Sequence, residues 1–160
     1  MYKKVLMSFA LLVFITTGMV FAQAPTLDKL RVVGSTGNAS INAANNSISG
    51  EVVIPDTWEG RPVTNIQSFQ NCTGITSVII PASMISINLN AFNGCTNLTS
   101  VTFQKTGVRN TGASSFPGDL VAKYQAGGAG TYTRQPGGTV WTKQAGRTIC
   151  PHCNGTGYLD

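Results

Sequence analysis

Two stretches of the chain, SFQNCTGITSVIIPAS at residues 68–83 and AFNGCTNLTSVTFQKT at residues 91–106, are copies of one pattern. Every position of the first copy has its counterpart in the second at one constant offset, the offset that takes Phe69 to Phe92. The apolar positions inside the copies are Ile75, Val78 and Ile80 in the first and Leu98, Val101 and Phe103 in the second. A short strand sends alternate side chains inward, and one such coil cannot bury its apolar face alone. The repeat therefore predicts stacked coils around a shared core.

A third, degraded copy precedes these two at residues 51–66. Its Val52-x-Ile54-Pro55 matches Val78-x-Ile80-Pro81, but at a slightly larger offset than the two clear copies have, which indicates a loop of different length. Residues 30–50 alternate weakly and are rich in turn-forming residues. We predict that they form one or two strands that cap the open end of the stack, because a bare terminal coil exposes its core.

The segment after the repeats has the pattern of a second cap. Leu120, Val121 and Tyr124 have the spacing of one short helical face, which Gly127-Gly128 ends. Two short strands, TYTR and TVWTK, follow and are joined by Gln-Pro-Gly-Gly, which predicts a hairpin. Tyr132 and Trp141 are then expected to pack across that hairpin.

The repeats resemble the BspA-like leucine-rich repeat of bacterial surface and secreted proteins over residues 51–108. The residues on its motif positions are Phe69, Cys72, Ile75, Val78, Ile80, Pro81, Phe92, Cys95, Leu98, Val101 and Phe103. The resemblance implies a mainly β chain that forms a short, right-handed leucine-rich-repeat solenoid with parallel strands, here with N- and C-terminal caps. It also implies an exported protein that adheres to host or neighbouring-cell proteins, and it brings no catalytic residues.

The start of the chain, at 1–22, has the three-part pattern of a secretory signal peptide, with Lys3 and Lys4 before the apolar run from Val5 to Ile15. We predict cleavage after Ala22 and export to the periplasm, the cell surface or the medium. The predicted organisation is a signal peptide at 1–22, cap strands at 23–50, repeats at 51–108, a cap with a hairpin at 109–147 and a cysteine-containing tail at 148–160.

Charge and composition exclude several classes of function. Removing the two leader lysines lowers the formal net charge from +5 to +3, and no stretch clusters Lys and Arg as a nucleic-acid face would. No second apolar stretch could span a membrane. The six acidic residues are scattered, His152 is the only histidine and no G-x-S-x-G motif occurs, so we do not expect an enzyme.

The cysteines leave several chemistries open. Cys72 and Cys95 occupy equivalent positions in adjacent coils, so they form either a ladder of buried thiols, a disulfide or part of a metal site. Cys150 and Cys153 lie in CPHCNGTG at residues 150–157, which resembles one Cys-x-x-Cys-x-Gly-x-Gly unit of the zinc-binding region of J-domain chaperones. Zinc takes four ligands, so a site here needs ligands from elsewhere, for example from a second copy in a homodimer. A disulfide, a redox pair and an inert tail are the alternatives.

The leading functional hypothesis is protein–protein binding through the solvent-facing side of the repeat strands. The candidate residues are Thr76, Ser77 and Ile79 in one coil and Thr99, Ser100 and Thr102 in the next. They are small and neutral, so a contact there depends on shape and hydrogen bonds. The alternative hypothesis is a zinc-binding or thiol-exchange protein that acts through Cys150 and Cys153.

Overall fold

The computed structural model describes residues 27–34, 37–110 and 114–145, and within them the chain is mainly β, as the repeat predicts. A 3-10 turn at Leu27–Lys29 opens this part of the chain. The eleven strands described are β1 Leu30–Val33, β2 Ala39–Ala43, β3 Ser49–Val53, β4 Thr57–Trp58, β5 Arg61–Ser68, β6 Gly74–Ile80, β7 Ser86–Ile87, β8 Ser100–Phe103, β9 Arg109–Asn110, β10 Gly130–Thr133 and β11 Thr142–Lys143. The α-helix α1 spans Leu120–Gly127. The predicted signal peptide and cysteine-containing tail lie outside the described residues.

The strands form two sheets, and the chain alternates between them. The first sheet has the order β1-β2-β5-β7-β9, with β4 paired to β5, and the second has the order β11-β10-β8-β6-β3. The chain passes from β2 to β3, from β5 to β6 and from β7 to β8, which is once from the first sheet to the second in each coil. The parallel register follows the offsets of the sequence repeat. Val78 pairs with Val101 of the next coil and with Val52 of the preceding one, which are its counterparts in the sequence.

Both sheets are mixed rather than wholly parallel. The pairs between successive coils are parallel, namely β2–β5, β5–β7, β7–β9, β3–β6 and β6–β8. The antiparallel pairs lie at the two ends, where β1 pairs with β2, β8 with β10, and β10 with β11. The short β4 is antiparallel to β5 within the degraded copy. A short return strand can lie antiparallel beside the last strand of a stack, whereas a parallel neighbour needs a full crossover.

The core lies between the two sheets and continues along the stack. The inward residues Val78, Ile80, Val101 and Phe103 are at most 1% exposed. Three phenylalanine rings follow one another through the core, with centroids 5.1 Å apart from Phe69 to Phe92 and 4.7 Å from Phe92 to Phe116. Repeating one aromatic residue per coil therefore produces a stack of rings.

Each end of the described stack has its own closing contacts. At the start, the Lys29 ammonium donates to the carbonyls of Ser49 and Glu51 in β3, at 2.6 and 3.3 Å. β3 is the last strand of the second sheet, and a charged lysine at a sheet edge disfavours pairing with another chain. At the other end, helix α1 buries Leu120, Val121 and Tyr124, which confirms the helical face predicted from their spacing. The helix ends at Gly127, and Gly128 follows it with φ 68°.

The expected packing of Tyr132 against Trp141 is wrong. The hairpin register pairs Tyr132 with Lys143 and Thr133 with Thr142, so Trp141 lies one position beyond, beside Arg134. The Arg134 guanidinium carbon is 5.1 Å from the centre of the Trp141 ring. Tyr132 instead meets Phe103 edge-on at 6.0 Å, because it points inward from a strand paired with β8.

Candidate interaction surface and cap

Strand alternation brings four of the six predicted surface residues together on the outer side of the second sheet. In β6 the buried Val78 and Ile80 alternate with the half-buried Ser77 and Ile79, and β8 repeats the alternation. The parallel register places Ser77 beside Ser100 and Ile79 beside Thr102. These residues therefore form two short rows that run across the strands.

The other two predicted residues lie at the beginning of these strands. Thr76 is exposed, and Thr99 immediately precedes β8. The backbone N–H of Thr99 donates to the Thr76 carbonyl at 2.9 Å, and the Thr99 hydroxyl donates to the same oxygen at 3.3 Å. The Thr99 hydroxyl thus joins the two coils in addition to any role at the surface.

Sequence reasoning missed the continuation of these rows onto β10. The antiparallel register places Thr131 beside Thr102 and Thr133 beside Ser100. The Thr102 and Thr131 hydroxyl oxygens are 2.9 Å apart and share a hydrogen bond. Alternation of threonine around the buried Tyr132 was the available signal, but the pairing of β10 with β8 could not be read from it.

We call the resulting surface the Ser/Thr face. It consists of Ser77, Ile79, Ser100, Thr102, Thr131 and Thr133. All six side chains are neutral, and five carry hydroxyls that donate and accept hydrogen bonds. Glu51 and Val53 of β3 adjoin the face on one side, and Thr142 of β11 adjoins it on the other. Such a face suits hydrogen bonding to a complementary surface rather than attraction of a charged one.

Cys72 and Cys95 are free thiols in the core, each fully buried. The Cys95 thiol donates to the Phe69 carbonyl of the preceding coil at 3.1 Å, and the Cys72 thiol lies 3.7 Å from the Asn45 carbonyl. Burial raises the pKa of both thiols, and the pKa of Cys95 reaches about 12. Buried, protonated thiols behave as small apolar residues, so this pair forms the ladder rather than the disulfide alternative.

The hairpin segment after α1 contains a buried cation. Arg134 is 9% exposed and follows β10 directly. Its guanidinium donates to the carbonyls of Leu98 (2.6 Å), Cys95 (3.1 Å) and Thr96 (3.2 Å), and also to that of Gly138. Desolvation lowers the pKa of Arg134, but an arginine stays charged at neutral pH. Neither of the two ion pairs among the described residues includes it.

The described residues bear on two predictions, that of a metal site and that of no membrane span. Within residues 27–34, 37–110 and 114–145, no three His, Cys, Asp or Glu side chains lie close enough to hold a metal ion. Cys150 and Cys153 lie outside these ranges, so the structure does not describe the predicted knuckle. In the described part of the chain, no helix has the length and apolarity that a membrane span requires.

The repeats and the core that they share are similar to those of leucine-rich-repeat proteins. Residues 63–123 match the family model described as BspA type Leucine rich repeat region (6 copies), which confirms the resemblance predicted for the repeats. A crystal structure of a leucine rich repeat protein of T. pallidum is similar at 25% identity with a TM-score of 0.41. That alignment covers 46% of this chain and 36% of the other, so the chain spans about a third of its length. No curated protein matches the chain.

The match of residues 63–123 to this family model suggests a role in protein–protein interaction. Repeat stacks offer extended surfaces that other proteins bind, and the family is typically not enzymatic.

Proposed function

We propose that this chain is an exported, non-enzymatic solenoid that binds a protein of a host or neighbouring cell through the Ser/Thr face. The observation that carries this proposal is the continuation of outward-facing hydroxyls across β6, β8 and β10 in strict register. The leader-like residues 1–22 support export to the cell surface or beyond. The small, uncharged side chains predict a modest affinity that changes little with salt, because few charges are screened.

The proposal is tested by substituting one threonine on each sheet. Thr102→Arg places a long charged side chain in the middle of the Ser/Thr face, while Thr64→Arg does the same on β5 of the first sheet. Both threonines are half-buried strand residues, so the pair is matched in chemistry and in burial. Cell-binding and pull-down measurements with the mature protein should lose at least about tenfold in affinity only for Thr102→Arg.

Equal binding by both variants would place the contact elsewhere. Circular dichroism and Tm must show that each variant keeps the fold, so that loss of binding reports on the surface. Deletion of residues 149–160 serves as a second comparison and should leave binding intact. If the deletion alone abolishes binding, the partner binds the tail rather than the Ser/Thr face. Mass spectrometry of the exported protein should find Gln23 as its first residue.

A further inference from the structure

A cleft of about 270 Å³ lies beside the buried arginine, between the last repeat coil and the cap. Its walls come from three segments, which are residues 93–96 of the coil, residues 117–118 before α1, and residues 137–139 of the hairpin loop. Arg134 is the charged side chain in this lining. The cleft is therefore distinct from the Ser/Thr face, which lies on the outer side of the second sheet.

Three glycines shape the backbone walls of this cleft. Gly94, Gly118 and Gly137 all have φ between 69° and 77°, a conformation that side chains with a Cβ rarely adopt. A Cβ on Gly118 would lie 2.2 Å from the Thr139 carbonyl oxygen, so the two walls already approach as closely as backbone allows. The space is thus bounded largely by backbone, with the polar side chains of Asn93, Thr96 and Thr139 at its exposed rim.

The charge on Arg134 is incompletely balanced. A guanidinium has five N–H donors, and Arg134 directs one from Nε, one from Nη1 and its Nη2 group at carbonyl oxygens. Nη1 keeps a second N–H for which the described residues provide no acceptor. Carbonyl dipoles and the Trp141 ring stabilise the cation, but no carboxylate among the described residues pairs with it. A buried charge without an ion partner is uncommon.

We propose that this cleft binds a carboxylate group, which pairs with Nη1 of Arg134. The remaining N–H supplies a charge-assisted hydrogen bond, and the partly enclosed position strengthens the attraction relative to open water. The rim hydroxyls of Thr96 and Thr139 and the Asn93 amide supply further donors. The carboxylate comes either from a small organic acid or from an acidic side chain of a bound protein, and both present the same group to the arginine.

The mature protein labelled with ¹⁵N is titrated with acetate and, separately, with acetamide, which has the same shape and no charge. Acetate should shift the Arg134 guanidinium signals and the amide signals of Gly94 and Gly118, while acetamide should not. At a tenfold excess over its Kd, acetate should raise Tm by about 3–6 °C relative to chloride at equal ionic strength. Equal responses to acetate and acetamide, or acetate shifts confined to other residues, would overturn the proposal.

Arg134→Gln should weaken acetate binding by about tenfold or more. Arg61→Gln removes an arginine that already pairs with Glu59 at 3.2 Å, and it should bind acetate as the unaltered protein does. If Arg134→Gln does not fold, the titration of the unaltered protein still decides the question. The blocked peptide acetyl-Gly-Glu-Gly-amide separates the two sources. Tighter binding of the peptide than of acetate indicates an acidic side chain of a protein, and weaker binding indicates a small acid.

Discussion

At the scale of single residues, Arg134 supplies hydrogen bonds to the last repeat coil that a neighbouring coil supplies elsewhere in the stack. Inside the stack, the Thr73 carbonyl accepts a hydrogen bond from the Asn97 amide of the following coil at 2.9 Å. Its counterpart one repeat later, the Thr96 carbonyl, accepts instead from Arg134 at 3.2 Å and from the backbone N–H of Gly137 at 3.4 Å. One guanidinium thus reaches three carbonyls of the last coil and one of the hairpin, and it is the donor described for two of them, those of Leu98 and Gly138.

Replacing Arg134 with Met should destabilise the protein by about 3 kcal/mol, because the change leaves the carbonyls of Leu98 and Gly138 without their described donor. The Met side chain keeps much of the apolar stem, so the loss reports on the hydrogen bonds rather than on volume. Urea unfolding at equilibrium measures it. The exposed Arg31 of β1 provides the matched control, and Arg31→Met should change stability by less than about 0.5 kcal/mol. Similar losses for both variants would contradict the role given to Arg134.

The raised pKa of Cys95 predicts that the stability of the fold decreases at alkaline pH. Its pKa is about 12 in the folded protein against an ordinary value of 9.0, mainly because burial disfavours the thiolate. The folded state keeps the proton while the unfolded chain releases it. The stabilisation is therefore present below pH 9.0 and is lost as the pH rises towards about 12. One such group lowers the free energy of unfolding by at most about 1.4 kcal/mol per pH unit in that window.

Urea unfolding from pH 8 to 11 measures this slope, and Cys95→Ala should reduce it. Part of the slope should remain, since burial also raises the pKa of Cys72, Tyr124 and Tyr132. An unchanged slope in Cys95→Ala would show that this thiol is not the titrating group. In the folded protein at pH 8, neither core thiol should react with a thiol reagent until denaturant is added, because both are fully buried.

At the scale of elements, Tyr124 attaches helix α1 to the last repeat. Its hydroxyl accepts from the backbone N–H of Val108 at 2.9 Å and donates to the Lys105 carbonyl at 2.8 Å. Its ring stacks on Phe103 with centroids 4.0 Å apart. Hydrogen bonding and stacking therefore use different parts of one side chain, and they can be separated by mutation.

Tyr124→Phe keeps the ring and removes the hydroxyl. We expect a loss of about 1–2 kcal/mol, because the buried Val108 N–H then has no acceptor. Hydrogen exchange of that amide should accelerate, while the amides of β6 should change little. Tyr124→Leu also removes the stacked ring and should cost more. If both variants lose the same stability, the hydroxyl makes no separate contribution.

The elements also mark the limit of prediction from sequence. The repeats give the register between coils, since equal spacing along the chain becomes pairing between neighbouring strands, as Val52, Val78 and Val101 illustrate. The pairing of β10 with β8 joins two segments that are not copies of one repeat. The spacing of the repeat therefore cannot predict this pairing. The partner of Trp141 depends on a one-residue choice of hairpin register, which the glycine-rich loop leaves open. The extension of the Ser/Thr face and the buried Arg134 both follow from these two unpredicted pairings.

At the scale of the whole molecule, the described residues share one continuous core. It runs from Leu30 and Ile41 at one end to Tyr132 and Trp141 at the other. Repeat stacks derive their stability from contacts between neighbouring units, and a stack this short has few of them. The closing contacts at each end therefore contribute a large share of the free energy of unfolding, and the protein should unfold in one step.

Removal of the terminal hairpin tests this dependence. A chain that ends after Gly128 loses β10 and its hydrogen bonds to β8 between Gly130 and Thr133. It also loses Tyr132, Arg134 and Trp141, which uncovers Phe103 and leaves the β8 edge open. We expect it to lose its cooperative thermal transition, to bind a hydrophobic dye and to aggregate through the open edge.

A chain that ends after Ala145 is the control. It keeps every contact of the hairpin named above, and its Tm should stay within about 2 °C of the mature protein. If the shorter chain still unfolds cooperatively, the repeats are self-sufficient and the hairpin only extends the Ser/Thr face.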